Sequence, residues 1–130
     1  MAKRRMFSKD IVESDDFYDL SPTAQNLYFH FGMNGDDRGY VNNSKQIMKN
    51  ANAKQKDLEE LIKRKFVLAR QGKLILIKGW CINNCIQKDR FVESRYASDL
   101  ENLYYDENRS YTENVTETKC IQNVYTGKVR

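Results

Sequence analysis

The sequence has no apolar run approaching the roughly 18 residues that a membrane span requires, and its 130 residues hold one proline, one tryptophan and one histidine. Its three cysteines, Cys81, Cys85 and Cys120, are odd in number and fit no disulfide framework, which suits a reducing compartment. The opening MAKRRMFSKD is basic but runs into acidic sequence instead of an apolar h-region, so no secretory signal is expected. A cytoplasmic location is the expectation, and the Asn-x-Ser/Thr matches at Asn42 and Asn114 then carry no meaning. Gly-rich phosphate loops and nucleophile elbows are missing too.

Catalytic and metal signals are equally sparse. His30 lies within the apolar and aromatic stretch LYFHF, the setting of a packed histidine rather than of a general base. Cys81 and Cys85 stand four apart and lack the second ligand pair of a zinc site. Asp15-Asp16 and Asp36-Asp37 could in principle hold magnesium, but adjacent acids on a cap or turn read as solvated punctuation. A non-enzymatic protein with no cofactor is expected.

What is present is a composition of 40% hydrophobic and 31% charged residues, globular and sized for one domain with tails. The net charge of +4 is unevenly distributed. Between Asn42 and Lys78 ten Lys/Arg face three acids, a surplus of seven, whereas Asp10 to Leu20 holds five acids and no base. Segregation of this kind is the electrostatic footprint of a polyanion binder, although lysines on a solvated surface give the same count.

Local signals supply an order of elements. Ser21-Pro22 predicts a helix start, with Ala24, Leu27, Tyr28 and Phe31 on one apolar face and Gly32 and Gly35 closing it. GDDRG turns into a short strand at Tyr40-Val41. Asn43 and Ser44 can cap a second helix carrying Ile47, Met48 and Ala51, and Asn52 can cap a third, about Ala53 to Lys65, with core positions Leu58, Leu61 and Ile62. The run FVLAR, QG, KLILIK predicts a hairpin. Helix, strand, two tightly joined helices and a hairpin are the parts of a winged helix-turn-helix, so the expected fold is α+β and mainly helical. Trp80, Ile82, Cys85 and Ile86 pack back on the core. Ser94 to Asp106 reads as a helix through Tyr96, Leu100 and Leu103, a C-terminal helical extension. The expected division is a basic arm over 1–9, the DNA-binding domain over 10–92, the helical extension over 93–112 and a flexible tail over 113–130.

The third helix is the expected recognition helix. Its solvent face bears Lys56, Glu59, Glu60 and Lys63, and the two glutamates would repel phosphates, which shifts the expected contacts to Asn52, Lys54, Gln55 and Lys56 at the N-terminus. Gln55 is the candidate for reading base edges. Lys45 and Lys49, one turn apart, are expected over the DNA backbone. Arg70, Gln71 and Lys73 surround Gly72 at the hairpin tip and are expected to bind phosphate, and Lys3, Arg4 and Arg5 to form a flexible arm on DNA.

The segment RRMFSKDIVESDDFYDLSPTAQNLYFHFGMNGDDRGYV, followed by a basic helix pair, a hairpin and GWCINNCIQKDRF, resembles the N-terminal domain of phage replisome organiser proteins of Gram-positive hosts, relatives of the DnaD-like primosome proteins. The resemblance covers about residues 4 to 112. It implies a winged-helix domain that binds double-stranded DNA at the phage origin, assembles as a homo-oligomer into a nucleoprotein complex and recruits the host's helicase-loading or primosome proteins. Trp80 and Lys88-Asp89-Arg90, part of the resemblance, look structural as much as functional. Such proteins usually continue into a C-terminal region, so an end at Arg130 implies either the DNA-binding module alone or a short version. Two other readings use the same fold: a phage transcription regulator, and a protein-docking or oligomerisation module.

Overall fold

The structure, a computed structural model, describes residues 4–113 and the strand Thr118–Lys119. Three helices precede the first strand: α1 (Lys9–Val12), α2 (Asp15–Tyr18) and α3 (Pro22–Asn34). Each begins on a serine, and the Oγ of Ser8, Ser14 and Ser21 accepts the N–H of Asp10, Phe17 and Ala24 respectively, supplying one of the acceptors that a helix N-terminus lacks. The expected apolar face of α3 is the buried one: Ala24, Leu27, Tyr28 and Phe31 are in the core.

After β1 (Tyr40–Val41) come α4 (Ser44–Asn50) and α5 (Gln55–Lys63), then β2 (Val67–Ala69) and β3 (Ile75–Ile77). Strand order is β1-β3-β2, all antiparallel, with Val41 opposite Ile75 and Leu68 opposite Leu76. The apolar run Ile75-Leu76-Ile77 is buried at every position, as a central strand covered on both faces must be. Both α3 and α4 contribute to the helical layer, and α3 packs on α5.

Each of the paired helices ends on a left-handed residue. After α4, Asn52 has φ 56, its N–H bonds to Lys49 O, and the Ala53 N–H bonds to Met48 O. After α5, Lys65 has φ 63, its N–H bonds to Ile62 O, and the Phe66 N–H bonds to Leu61 O. Both are Schellman closures, which satisfy the last carbonyls of the helix. Asn52 therefore terminates α4 and does not cap α5 as expected; Lys54 holds the N-cap position.

Beyond α6 (Trp80–Asn83) the chain departs from expectation. In place of a helix over Ser94–Asp106 there is a 3₁₀ turn at Ala97–Asn102 and a strand, β4 (Tyr104–Asp106), flanked by β5 (Tyr111–Thr112) and β6 (Thr118–Lys119) in a second antiparallel sheet of order β5-β4-β6. The extension expected over 93–112 is thus not helical. Leu100 is buried either way, but Leu103 and Tyr105 alternate inward with a period of two, and the turn at Asn108 is fixed by Asp106, whose Oδ1 accepts the N–H of Asn108 and Ser110. The tail expected from 113 contains Glu113, paired with Arg70, and β6; residues 114–117 and 120–130 lie outside the described residues.

The second sheet belongs to the same core as α3 and β3. The Tyr111 N–H bonds to Lys78 O at 2.9 Å and its hydroxyl donates to Arg38 O at 2.9 Å, while Lys78 Nζ reaches Tyr111 O and Asp106. Trp80 is wedged where β1 begins, its indole N–H on Asp37 O at 3.0 Å. No helix among the described residues is long and apolar enough to cross a membrane.

Candidate nucleic-acid interface

The start of α5 is built around a buried acid. Asp57, 1% exposed, accepts the Lys54 backbone N–H at 2.9 Å, the Thr23 hydroxyl at 2.7 Å and the Ser21 hydroxyl at 3.3 Å. Burial alone would push this carboxyl up; the donors outweigh it and hold it below the ordinary aspartate range. One carboxylate thereby locks the first turn of α5 to the first turn of α3, and the side chains of Lys54, Gln55 and Lys56 are left exposed.

Glu60 is not on the solvent face as expected. Its carboxylate turns to α3 and accepts the Ser21 N–H at 2.9 Å and the Ser21 hydroxyl at 3.0 Å. The outward face of α5 is then Gln55, Lys56, Glu59 and Lys63, with Glu59 as its acid. That face is more basic than the sequence suggested, because one of the two glutamates is used internally.

Lys45 and Lys49 are exposed on one face of α4, and Asn52 is exposed at its closure. The β1–β3 register carries the start of α4 to the tip of the hairpin, since Val41 pairs with Ile75 and the chains diverge from there. At that tip Gly72 and Lys73 are both left-handed, with φ 66 and φ 65, and nothing lies within 4 Å of the space a Gly72 side chain would fill. A left-handed Lys costs about 1 kcal/mol. Gln71 and Lys73 are exposed, and the Lys73 ammonium lies beside that of Lys45, which pushes its pKa down.

Two expected contacts are engaged elsewhere. Arg70, 7% exposed in its side chain, makes a bidentate pair with Asp99, Nε to Oδ2 at 2.8 Å and Nη2 to Oδ1 at 2.9 Å, and its Nη1 meets Glu113 at 2.8 Å. The guanidinium has no face left for a phosphate; it fastens the hairpin to the 3₁₀ turn. Arg5, 6% exposed, donates to Gly35 O and to Asp37 Oδ1 at 3.0 Å and lies 5.0 Å over the Trp80 ring. The Met6 and Ser8 N–H groups bond to the side-chain oxygens of Asn84 and Asn83. From Arg5 onward the expected flexible arm is therefore pinned to the fold. Arg4 is exposed but lines a groove with Asn34, Arg90 and Arg95, away from α5; Lys3 lies outside the described residues.

Sequence reasoning names Arg90 only as part of the resembling segment and not Arg95; both are exposed in that groove, and Asp89 and Glu93 balance them locally in the chain. In space Glu93 is taken by Arg38, at 2.8 Å to each of its oxygens. Asp36 and Asp37 are also engaged, Asp36 by the N–H groups of Arg38 and Tyr40 and the Ser94 hydroxyl. Among the described residues no group of three or more His, Cys, Asp or Glu is arranged to hold a metal ion. Comparison with protein-family models, with curated proteins and with solved structures gives no match, so the geometry and the sequence motifs carry the reading that follows.

Proposed function

We propose that this chain is a winged-helix DNA-binding protein, with α5 as the recognition helix and the β2–β3 hairpin as the wing. The element order α3, β1, α4, α5, β2, β3 and the sheet order β1-β3-β2 support that class. Within it, the RRMFS, LSPTAQNLYFHF, DDRGYV and WCINNCIQKDR motifs favour a replication-initiation protein acting at a phage origin and recruiting the host's helicase-loading proteins.

The observation that carries the DNA reading is the row of exposed lysines on α4, at the start of α5 and at the hairpin tip, Lys45, Lys49, Lys54, Lys56 and Lys73, among them the adjoining pair Lys45 and Lys73. Two exposed ammonium groups side by side repel each other, and no carboxylate partner for either is found among the described residues. An anion seated between them removes that repulsion, and a DNA phosphate is the anion that fits a helix start flanked by a hairpin tip. The first turn of α5 enters the major groove, where Gln55 meets a base edge and Lys54 and Lys56 meet phosphates. Lys49 lies on the backbone beside Lys45.

Fluorescence anisotropy on labelled duplex DNA tests this. Lys45→Gln with Lys73→Gln is expected to weaken binding by on the order of tenfold, with unchanged thermal stability, since both residues are exposed. Duplex from the replication origin of the encoding genome is expected to bind more tightly than random duplex. Wild-type protein that binds no duplex at low salt would sink the DNA reading; equal affinity for both duplexes would sink the origin reading alone. The neighbouring Lys45 lowers the Lys73 pKa and a bound phosphate favours the charged amine, so affinity is expected to fall as pH rises toward the lysine range.

A further inference from the structure

The groove that holds Arg4, Arg90 and Arg95 has a volume of about 850 Å³ and lies between the N-terminal segment before α1, the turn before β1 and the 84–96 loop. Its acids are all engaged inward: Asp36 with Ser94, Asp37 with Arg5 and the Val92 N–H, Glu93 with Arg38. Of its arginines Arg5 is engaged with Asp37, whereas no acid partner for Arg4, Arg90 or Arg95 is found among the described residues. The wall also carries Val92, at 71% exposure the most exposed large hydrophobic among the described residues.

Elsewhere on the molecule stands a surface of the opposite kind. Asp10, Glu13, Asp15, Asp16 and Asp19 on and beside α1 and α2 are exposed, and none has a cation partner among the described residues. In their midst Tyr18 is 61% exposed, second only to Val92 among the described large hydrophobics. One copy does not join the two surfaces. Both are fixed to the same frame, α2 by Phe17 in the core and the residues before α1 by Asn83 and Asn84.

We propose that the arginine groove of one copy receives the acidic α1–α2 face of a second copy. Arginine forks match carboxylates in geometry as well as charge, and a contact with Tyr18 against Val92 at its centre and charges at its rim has the anatomy of a protein interface. A single-stranded nucleic acid fits less well. Its bases need open aromatic faces, whereas Tyr96 packs on Tyr40 at 5.8 Å and Phe91 lies under the Arg38 guanidinium at 4.6 Å. This contact goes beyond the DNA reading and does not depend on it.

Sedimentation velocity of the full chain, over a range of concentrations at low and high salt, tests the contact. Wild type is expected to gain mass with concentration at low salt and to return to monomer at high salt. Arg90→Ala with Arg95→Ala, and separately Asp16→Asn with Asp19→Asn, should each associate at least about tenfold more weakly. An equimolar mixture of the two variants should regain a 1:1 complex, because each keeps the half that the other lacks. Wild type that stays monomeric at low salt, or association unchanged in both variants, overturns the proposal. So does loss of binding to a labelled single-stranded oligonucleotide in the arginine variant without any change in association, which would assign the groove to nucleic acid.

Discussion

Arg70 and Asp99 show how a charged side chain can be spent on the fold. Replacing Arg70 with Ala leaves the Asp99 carboxylate with the Tyr40 hydroxyl, at 2.7 Å, and no cation. The expected result is a loss of about 2 kcal/mol in urea denaturation, with DNA affinity of the folded protein nearly unchanged; a large affinity loss at unchanged stability would return Arg70 to the DNA surface. Burial raises the Asp99 carboxyl, but Arg70 and Tyr40 outweigh it and hold it below its ordinary 3.8, as the donors around Asp57 do there. A carboxyl depressed in the folded state stabilises fully above its unfolded pKa, and that contribution is lost as pH falls through the folded one. Stability should therefore drop as pH falls through and below the ordinary aspartate range, and Asp99→Asn should start lower and fall less steeply there. Tyr28, pushed up to about 12 by burial against the opposing Asn83 hydrogen bond, stays protonated throughout.

Elements depend on a few positions where the backbone admits little choice. Gly39 has φ +95, and a methyl there would sit 2.7 Å from Trp80 Cγ, at the joint between the GDDRG turn and β1. Gly39→Ala is expected to cost on the order of 2 to 3 kcal/mol, read as a lower thermal midpoint, whereas Gly72→Ala meets no neighbour and bears only the left-handed strain. Sequence reasoning reached the elements whose signals are local: the Ser21-Pro22 start, the apolar face of α3, the hairpin around Gly72. It missed where two local readings compete. Asn suits a left-handed helix end as well as an N-cap, and only the Ala53-to-Met48 bond decides for the former. Tyr96, Leu100 and Leu103 fit a helical stripe, but pairing of Tyr105 with Tyr111 and Lys119 imposes a strand, and no short window contains those partners. The site was legible to the same degree. The exposure of Lys45, Lys54, Gln55, Lys56 and Lys73 follows from their local pattern, while the engagement of Arg5 and Arg70 does not, because their acids lie 32 and 29 residues away.

At the scale of the whole molecule, two sets of exposed cations should behave differently in salt. Lys45, Lys49, Lys54, Lys56, Lys63 and Lys73 surround α4, α5 and the hairpin tip; Arg4, Arg90 and Arg95 border the groove. Each lysine that neutralises a phosphate releases counterions, so the logarithm of the duplex binding constant should fall linearly with that of salt concentration, by about 0.9 per phosphate contact. Lys45→Gln with Lys73→Gln should flatten that slope by about 2 if each meets its own phosphate, and by about 1 if they share one, as their adjacency argues. Arg90→Ala with Arg95→Ala should leave the slope unchanged. A slope that flattens equally in both variants would mean that DNA wraps from the hairpin to the groove, and that the two basic surfaces serve one ligand. A slope that responds to the lysines alone keeps the groove free for a partner while DNA is bound, the arrangement needed if copies are to associate on DNA.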